Sequence, residues 1–112
     1  MSVTPKTITA AQLTGSAATY YTAPANTKAI IRKLTLTNTD TVARTVTLYL
    51  VPSGGTAGVT NILLSAKSIG AGECYDAYEA ANQVLQTGGF IQALADSAAK
   101  VTIQGSVNEV VQ

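Results

Sequence analysis

Residues Lys28–Val51, KAIIRKLTLTNTDTVARTVTLYLV, decide how this chain folds, because they hold two runs of β-type residues around a polar break. In each run apolar and polar residues alternate with a period of two, which indicates a strand that buries one face. The stretch therefore predicts two half-buried strands. The residues assigned to their buried faces are Ile30, Leu34 and Leu36 in the first run and Val42, Val46, Leu48 and Leu50 in the second.

The polar break between these strands, residues 38–41, has two interpretations. If the strands pair directly, their buried faces match only across an odd-length loop, such as Thr39–Thr41. Otherwise the break arches from one sheet to the other, as in many β-sandwiches. The alternation is compatible with both, so a hairpin and an arch remain open at this point.

The rest of the chain predicts an all-β domain. Short alternating runs follow one another between turns rich in Gly, Pro and Asn. This spacing is typical of a single antiparallel β-sandwich, immunoglobulin-like or jelly-roll-like, with roughly seven to nine strands. Residues 1–13 are predicted to form an N-terminal arm or edge strand, and residues 14–112 the sandwich. One short helical turn is predicted near residues 79–87, because apolar residues there have helical spacing and Gly88 follows as a stop.

Charge and composition limit the partners that this chain can have. Only 12% of its 112 residues are charged, the net charge is +1, and its seven Lys and Arg are spread singly. Without a basic patch we expect no binding to nucleic acid. A surface so poor in charge favours association with other protein, so we expect a homo-oligomer, with a trimer favoured. No apolar run has the length of a membrane span or a signal-peptide core, so we expect no membrane partner.

The residue types needed for catalysis are scarce. The chain has no His, which removes the commonest general base and metal ligand. The one cluster of carboxylates, Glu73, Asp76 and Glu79, is interpreted as solvated surface charge. Cys74 is the single cysteine; its expected place is the core, and a bridge between subunits is the alternative. We therefore expect no enzyme activity and no catalytic residue, metal or cofactor.

Contacts with other molecules are predicted at side chains that break the alternation. Tyr20 and Tyr21 are expected on opposite faces of one strand, so that one of them is exposed. Tyr49 is out of phase with the buried face of its strand. Arg32 and Arg44 interrupt the apolar phases and are expected near strand ends, with their charged heads in solvent or against a partner. The candidate interface residues are Ile8, Tyr20, Tyr21, Arg32, Arg44, Tyr49 and Cys74.

Three segments of the chain resemble small structural proteins of tailed bacteriophage virions. They are YYTAPANTKAIIRKLTLTNTDTVARTVTLYLVPSGG, NILLSAKSIGAGECY and VLQTGGFIQALADSAAKVTIQGSVNEV, and together they span nearly the whole chain from Tyr20. The resemblance lies in a Tyr-Thr-x-Pro start, the IIRKLTLTN and VTLYLVP strands and a late LxxGGxIxA segment. It concerns patterning and turn residues, so it implies a fold and a broad class. Cys74 departs from it, because a polar or aliphatic residue is expected there.

The resemblance implies a non-enzymatic virion component that is made in the cytoplasm of a bacterial host. The preferred expectation is a capsid decoration (cement) protein. Its oligomer would lie across joints between major capsid protein subunits and dock through the arm, Met1–Leu13. The alternative is a neck, tail or fibre component that binds another virion protein or a host-surface glycan. Under that alternative, Tyr20 or Tyr21, Tyr49 and the Pro52–Gly58 loop would carry the binding.

Overall fold

A computed structural model describes Ser2–Val111; Met1 and Gln112, the outermost residues of the predicted arm and sandwich, lie outside the described residues. The described chain consists of strands, turns and loops without a helix, and so it includes no helix that could cross a membrane. Its strands are β1 (Ser2–Gln12), β2 (Ala18–Thr22), β3 (Thr27–Asn38), β4 (Arg44–Val51), β5 (Ile62–Ile69), β6 (Cys74–Asp76), β7 (Val84–Leu85), β8 (Phe90–Ala95) and β9 (Val101–Val111).

The strands form two antiparallel sheets around one core. Sheet A has the order β1-β9-β3-β6, with β7 also paired to β3, and sheet B has the order β2-β8-β4-β5. Along the chain, each strand lies in the sheet opposite to its predecessor, except at the β4–β5 and β6–β7 connections. This winding is that of a jelly roll. The predicted all-β, two-sheet antiparallel sandwich is confirmed.

The polar break after β3 is an arch between the two sheets. β3 pairs with β9 and β6 in sheet A, whereas β4 pairs with β5 and β8 in sheet B. Asn38 is fully buried at the end of β3. Its Nδ2 donates to the carbonyl oxygens of Val42 (2.9 Å), Ile69 (2.9 Å) and Gly70 (3.2 Å). Its Oδ1 accepts the backbone N–H of Asp40 at 2.9 Å. The hairpin interpretation is wrong, because β3 and β4 lie in different sheets. The bonds of Asn38 hold the end of β3 against the arch and the end of β5.

The predicted buried face of β4 is confirmed in its middle and wrong at its start. Val46 and Leu48 are fully buried, and Leu50 is half-buried against the core. Val42 lies in the arch before β4 and is 52% exposed. Val42 is not buried as predicted, because side chains alternate between two faces only where the backbone is extended.

A β-bulge shifts the buried face of β3. Leu34 and Leu36 are buried as predicted, but Ile31 is buried in place of Ile30. The register between β3 and β9 shifts between Ile31 and Lys33, so Arg32 has no partner residue across the ladder. One extra residue reverses the order of inward and outward side chains. The prediction treated the alternation as continuous along the whole of β3, and for this reason it assigned Ile30 to the core.

The core between the sheets is aliphatic and draws on both ends of the chain. β9 follows the predicted alternation, with Val101, Ile103 and Val107 fully buried. β1, an edge strand of sheet A, contributes Ile8, and the turn after it contributes Leu13. The largest fully buried side chains are Ile8, Leu13, Ile31, Leu34, Leu36, Leu48, Ile91, Ile103, Val46, Val51, Val101 and Val107.

The helical turn predicted at residues 79–87 is wrong. Successive tight turns occupy its first half, and Asn82 has a left-handed φ of 69° that ends any helical run. The backbone N–H of Asn82 then donates to the carbonyl of Ile31 at 2.7 Å, and the N–H of Ile31 donates to the carbonyl of Gln83 at 2.9 Å. The segment pairs with the open edge of β3, because buried backbone groups there need partners. Local helical spacing is outweighed by this pairing.

Candidate interaction surfaces

The carboxylates take part in structural contacts. Asp40 forms an ion pair with Arg44, with 2.7 Å between the carboxylate oxygen and the guanidinium nitrogen. The Tyr75 hydroxyl donates to the carboxylate of Glu79, whose two oxygens lie 2.7 and 2.6 Å away. The backbone N–H of Thr41, followed by the guanidinium of Arg44, lowers the pKa of Asp40. Among Ser2–Val111, no three Cys, Asp or Glu side chains are grouped as a metal site. These contacts stabilise turns and strand ends, and they do not place two carboxyl groups together as an acid–base pair.

Ile8 lies inside the protein, not on its surface. Its side chain is 1% exposed and belongs to the core, and the next buried residue along the chain, Leu13, is fully buried. By contrast every residue from Ser2 to Thr7 is exposed, although this segment pairs with β9 throughout. A contact made by β1 with another molecule would therefore involve its exposed residues, which are continuous from Ser2 to Thr7, while Ile8 anchors the strand.

Tyr20 and Tyr21 face the same side of β2, against the prediction. The register between β2 and β8 shifts between Thr19 and Tyr21, which makes Tyr20 the extra residue of a bulge. Both rings are partly buried and pack against the core. Neither tyrosine is left exposed, because the bulge turns what would be the outward side chain inward.

Tyr21 links the two sheets through a buried carboxylate that was not predicted from the sequence. Its hydroxyl, on β2 of sheet B, donates to Oε2 of Glu109 at 2.5 Å, and Glu109 belongs to β9 of sheet A and is 8% exposed. Burial, followed by the hydrogen bond to Glu109 and its negative charge, raises the pKa of Tyr21. The signal in the sequence was a charged residue at an odd, inward position of β9.

The Tyr21–Glu109 bond predicts a loss of stability in alkali. An unfolded tyrosine ionises near pH 10, whereas Tyr21 stays neutral to higher pH in the folded protein. Above about pH 10 the unfolded chain therefore binds fewer protons, and the free energy of unfolding falls as pH rises through the raised folded pKa. Tyr75, whose pKa is raised mainly by its hydrogen bond to Glu79, contributes in the same direction.

The Tyr21→Phe variant is expected to be less stable at pH 7 by about 1 kcal/mol, because Glu109 loses its buried donor. Its unfolding free energy should also fall less steeply above about pH 10. Urea unfolding followed by circular dichroism between pH 7 and 11.5 measures both effects, with Tyr20→Phe as the neighbouring control. A variant with the same alkaline slope as the parent would show that Tyr21 does not carry the effect.

Tyr49 lies on the outer face of sheet B, as predicted from its phase. It is half-buried and pairs with Gln92 of β8 and Ile62 of β5. Of the strands of sheet B, only β4 and β5 carry a charged residue, namely Arg44 and Lys67. Arg44 is the first residue of β4, and Lys67 lies 4.9 Å over the Tyr75 ring at the opposite sheet's edge. The middle of this outer face is therefore uncharged.

The two arginines have different surroundings. Arg32 is exposed at the bulge in the middle of β3, so its predicted place near a strand end is wrong. Arg44 begins β4 as predicted, but its guanidinium is bonded to Asp40, with Asp96 3.9 Å away. A charge held by two carboxylates fixes the arch and has less freedom to reach a partner.

Cys74 is exposed on β6, so the expectation that it packs in the core is wrong. The neighbouring residue Tyr75 packs against the core and takes the inward position of this short strand. Alternation then turns Cys74 outward. Taken together, the candidate interface residues do not form one site, because they lie on different strands, in both sheets and in the core.

The connections at the two ends of the sandwich differ in charge, a difference that was not predicted from the sequence. At the end where β1 begins and β9 finishes, the connections carry no charged residue; they are 23–26, 52–61 and 86–89. At the opposite end lie connections 13–17, 39–43, 70–73 and 96–100, which carry Asp40, Glu73, Asp96 and Lys100. We call the first the valine end and the second the charged end.

The valine end is named for its exposed side chains. Among the described residues six large apolar side chains are markedly exposed, and four of them lie at this end. The four are Val3 (60% exposed), Val59 (88%), Val84 (48%) and Val111 (40%). Large apolar side chains clustered at one place on a surface indicate an interaction site more strongly than the same residues scattered singly.

Neither a protein-family model nor a curated protein sequence matches the chain. Solved structures match it over nearly its full length. A chain of the disulfide-linked pili that form Bacillus endospore appendages is 11% identical, with a TM-score of 0.59, over 98% of this chain and 89% of that chain. A chain of infectious bursal disease virus, Gx strain, is 15% identical, with a TM-score of 0.57, over 99% of this chain and 32% of that chain.

A chain from the T13 particle of the same virus also matches. It is 14% identical, with a TM-score of 0.51, and the match covers 98% of this chain and 31% of that chain. The chain thus spans about a third of the length of the viral chains and most of the length of the pilus chain. The fold is shared with a pilus protein and with viral capsid proteins. At these identities the likeness concerns the fold alone.

Proposed function

We propose that this chain is a non-enzymatic structural component of a bacteriophage virion, and that it decorates the capsid as a cement protein. The observation that carries the proposal is the fold: the whole chain is wound like proteins of a pilus and of a virus particle. Jelly rolls recur among viral capsid proteins. The resemblance of its sequence segments to tailed-phage virion proteins supports the bacteriophage assignment.

The surface of the sandwich fits a mechanical role. The outer face of sheet B is uncharged in its middle, and the valine end exposes Val3, Val59, Val84 and Val111. Each such surface supports only a weak contact, but contacts repeated by the symmetry of a shell add up to strong attachment. The protein then stabilises the joints between major capsid protein subunits without any reaction. Its place is in the virion, after synthesis in the cytoplasm of the bacterial host.

The exposed part of β1 is the segment proposed to dock on the capsid. As an edge strand it presents backbone groups that can extend a neighbouring sheet. Pro5, Lys6 and the register shift after Ile8 interrupt that edge, and such features keep edge strands from aggregating before they meet their partner. Within the proposed arm, residues 1–13, the docking contacts are assigned to the exposed residues, because Ile8 and Leu13 are buried in the core.

Heating of purified particles tests this function. Particles that carry the protein are expected to release their DNA at a higher temperature than particles stripped of it. Deletion of residues 2–6, which removes only exposed side chains, should reduce binding of the protein to stripped particles. A release temperature that is the same with and without the protein would contradict the cement role.

A fibre component is the second candidate, and the pilus match favours it. That match covers 89% of the pilus chain, whereas the viral matches cover about a third of theirs. Imaging of particles labelled with an antibody against the protein separates the two roles: label over the whole head supports cement, and label on tail or fibre supports the alternative. A glycan site on such a fibre would rest on Tyr49 and the Pro52–Gly58 loop, because Tyr20 and Tyr21 pack inward.

A further inference from the structure

The outer face of sheet A has a shallow depression above Gly105. Thr7 of β1, Ser106 of β9 and Lys33 of β3 lie side by side in one row across this face. The registers of β1 and β3 both shift close to Gly105, and a bulge bends the strand that carries it. Two bulges that flank the same part of β9 account for the concave surface. The depression has a volume of about 260 Å³, and its polar lining side chains are Thr7, Lys33, Thr35, Gln104 and Ser106.

The polar groups of this depression are open to solvent. Thr7, Lys33 and Gln104 are exposed. The ammonium of Lys33 lies 3.9 Å from a carboxylate oxygen of Asp76, and both side chains are more than half exposed. Such an ion pair is weak and exchanges easily. Hydroxyl, amide and ammonium groups are donors that suit a carboxylate, so the depression has the chemistry to hold one.

Positive charge predominates on the outer face of sheet A. Arg32 and Lys33 both point outward, because the residues on either side of this pair are buried. Lys28 points outward further along the same strand. Among the described strands of sheet A, carboxylates belong only to Asp76, at the β6 edge, and to Glu109, which is buried between the sheets. The face therefore suits a negatively charged partner.

Aliphatic side chains continue this face toward the valine end. Ile30 of β3 pairs with Val84 of β7, and Val3 of β1 pairs with Val110 of β9. Val3 and Val84 are 60% and 48% exposed. Contact surfaces between proteins combine apolar and charged groups in this way. A face with aliphatic and cationic groups matches a protein segment with aliphatic and acidic ones.

We propose that the outer face of sheet A binds an acidic segment of another protein, with one carboxylate of that segment in the depression above Gly105. The donors to this carboxylate are the Lys33 ammonium and the hydroxyls of Thr7 and Ser106, and the carboxylate replaces Asp76 beside Lys33. This inference goes beyond the proposed function and does not depend on it, because it concerns the chemistry of a partner and not a place in a particle.

Two other occupants match this face less well. A second copy of this chain, packed face to face, would bring Arg32 and Lys33 against the same two residues of the other copy. Like charges across a contact oppose association. Nucleic acid would pair with the cations but would leave the aliphatic part of the face uncovered. Among the described residues, no aromatic ring lines the depression as a surface on which a base could stack.

Titration of the isotope-labelled protein with a hexaglutamate peptide, followed by two-dimensional NMR, tests this site. Saturable shifts are expected at the backbone amides of Lys33, Gly105 and Ser106. The Kd should lie in the millimolar range, because exposed ion pairs are individually weak. It should rise at least about threefold between about 20 and about 200 mM NaCl, since salt screens exposed charges. A hexalysine peptide should cause no saturable shift at these amides.

Variants on this face separate the site from general attraction to positive charge. Lys33→Gln is expected to raise the Kd at least about threefold. Asp76→Asn should lower it, because Asp76 no longer competes for Lys33. Lys67→Gln is the matched control: it also removes one exposed positive charge, but Lys67 lies on β5 of sheet B, so this variant should bind like the parent.

Thermal unfolding of each variant shows whether it is folded, and Arg32→Gln provides a second variant of an exposed cation on this face. Three results would overturn the proposal: no saturable shift near Gly105, equal weakening by Lys67→Gln, or tighter binding of an oligothymidylate than of the peptide at this face. None of these results bears on the release temperature of particles, so the cement role is tested separately.

Discussion

Replacing Asn38 with alanine is expected to lower the free energy of unfolding by about 3 to 4 kcal/mol. The side chain is fully buried, and its amide satisfies the carbonyls of Val42, Ile69 and Gly70 together with the backbone N–H of Asp40. Alanine leaves several of these groups without a partner inside the protein. Each buried polar group that loses its hydrogen bond costs about 1 to 3 kcal/mol.

Urea unfolding at neutral pH measures this effect, with Thr39→Ala as the control. The Thr39 hydroxyl bonds to the carbonyl of Lys100, but this bond is exposed, so its loss should cost no more than about 1 kcal/mol. A loss at Asn38 no larger than that of the control would mean that the arch does not depend on this residue. Since the arch places β3 and β4 in different sheets, the variant tests the step that determines the fold.

Replacing Gly105 with alanine is expected to destabilise the protein by about 2 to 3 kcal/mol. Gly105 pairs with Ile8 of β1 and Leu34 of β3, next to the shifts of register in both strands. A Cβ atom there would collide with the carbonyl oxygen of Lys33 and would lie 3.0 Å from Cδ1 of Leu34. Backbone atoms of β3 would have to move, because the colliding oxygen belongs to the main chain.

Gly15→Ala is the control for this second prediction. Gly15 lies in the turn before β2, and a Cβ there meets nothing within 4 Å, so alanine should be neutral or raise stability by up to about 1 kcal/mol. The difference between the urea midpoints of the Gly105→Ala and Gly15→Ala variants measures the loss of stability caused by the Cβ at position 105. Equal midpoints would show that β9 and β3 do not approach as closely at Gly105 as the structure indicates.

The alternation in the sequence was enough to predict the strands and the class of fold. Val101, Ile103 and Val107 of β9 are buried as their spacing predicts, because a paired strand without a bulge keeps its phase. Bulges are the reason that Ile30 and the tyrosine pair Tyr20 and Tyr21 were assigned to the wrong faces. The extra residues Arg32 and Tyr20 each shift a register, and nothing in the residue types marks them as bulges.

The interaction surfaces were harder to predict than the strands. Val3, Val59, Val84 and Val111 are far apart in the sequence and meet at one end only because of the strand order. The charge difference between the ends was readable in principle, since the uncharged connections belong to one end once the winding is known. The side-chain phase of β6 likewise placed Cys74 outward, which its small apolar character did not indicate.

Imaging of intact virions from cells that make this protein tests the proposed function most directly. The proposal predicts a sandwich-shaped density of about 46 × 25 × 20 Å, repeated at symmetry-related positions over the joints of the capsid. Purified virions that lack the protein, while it remains free in the lysate of the same cells, would contradict a structural role in the particle.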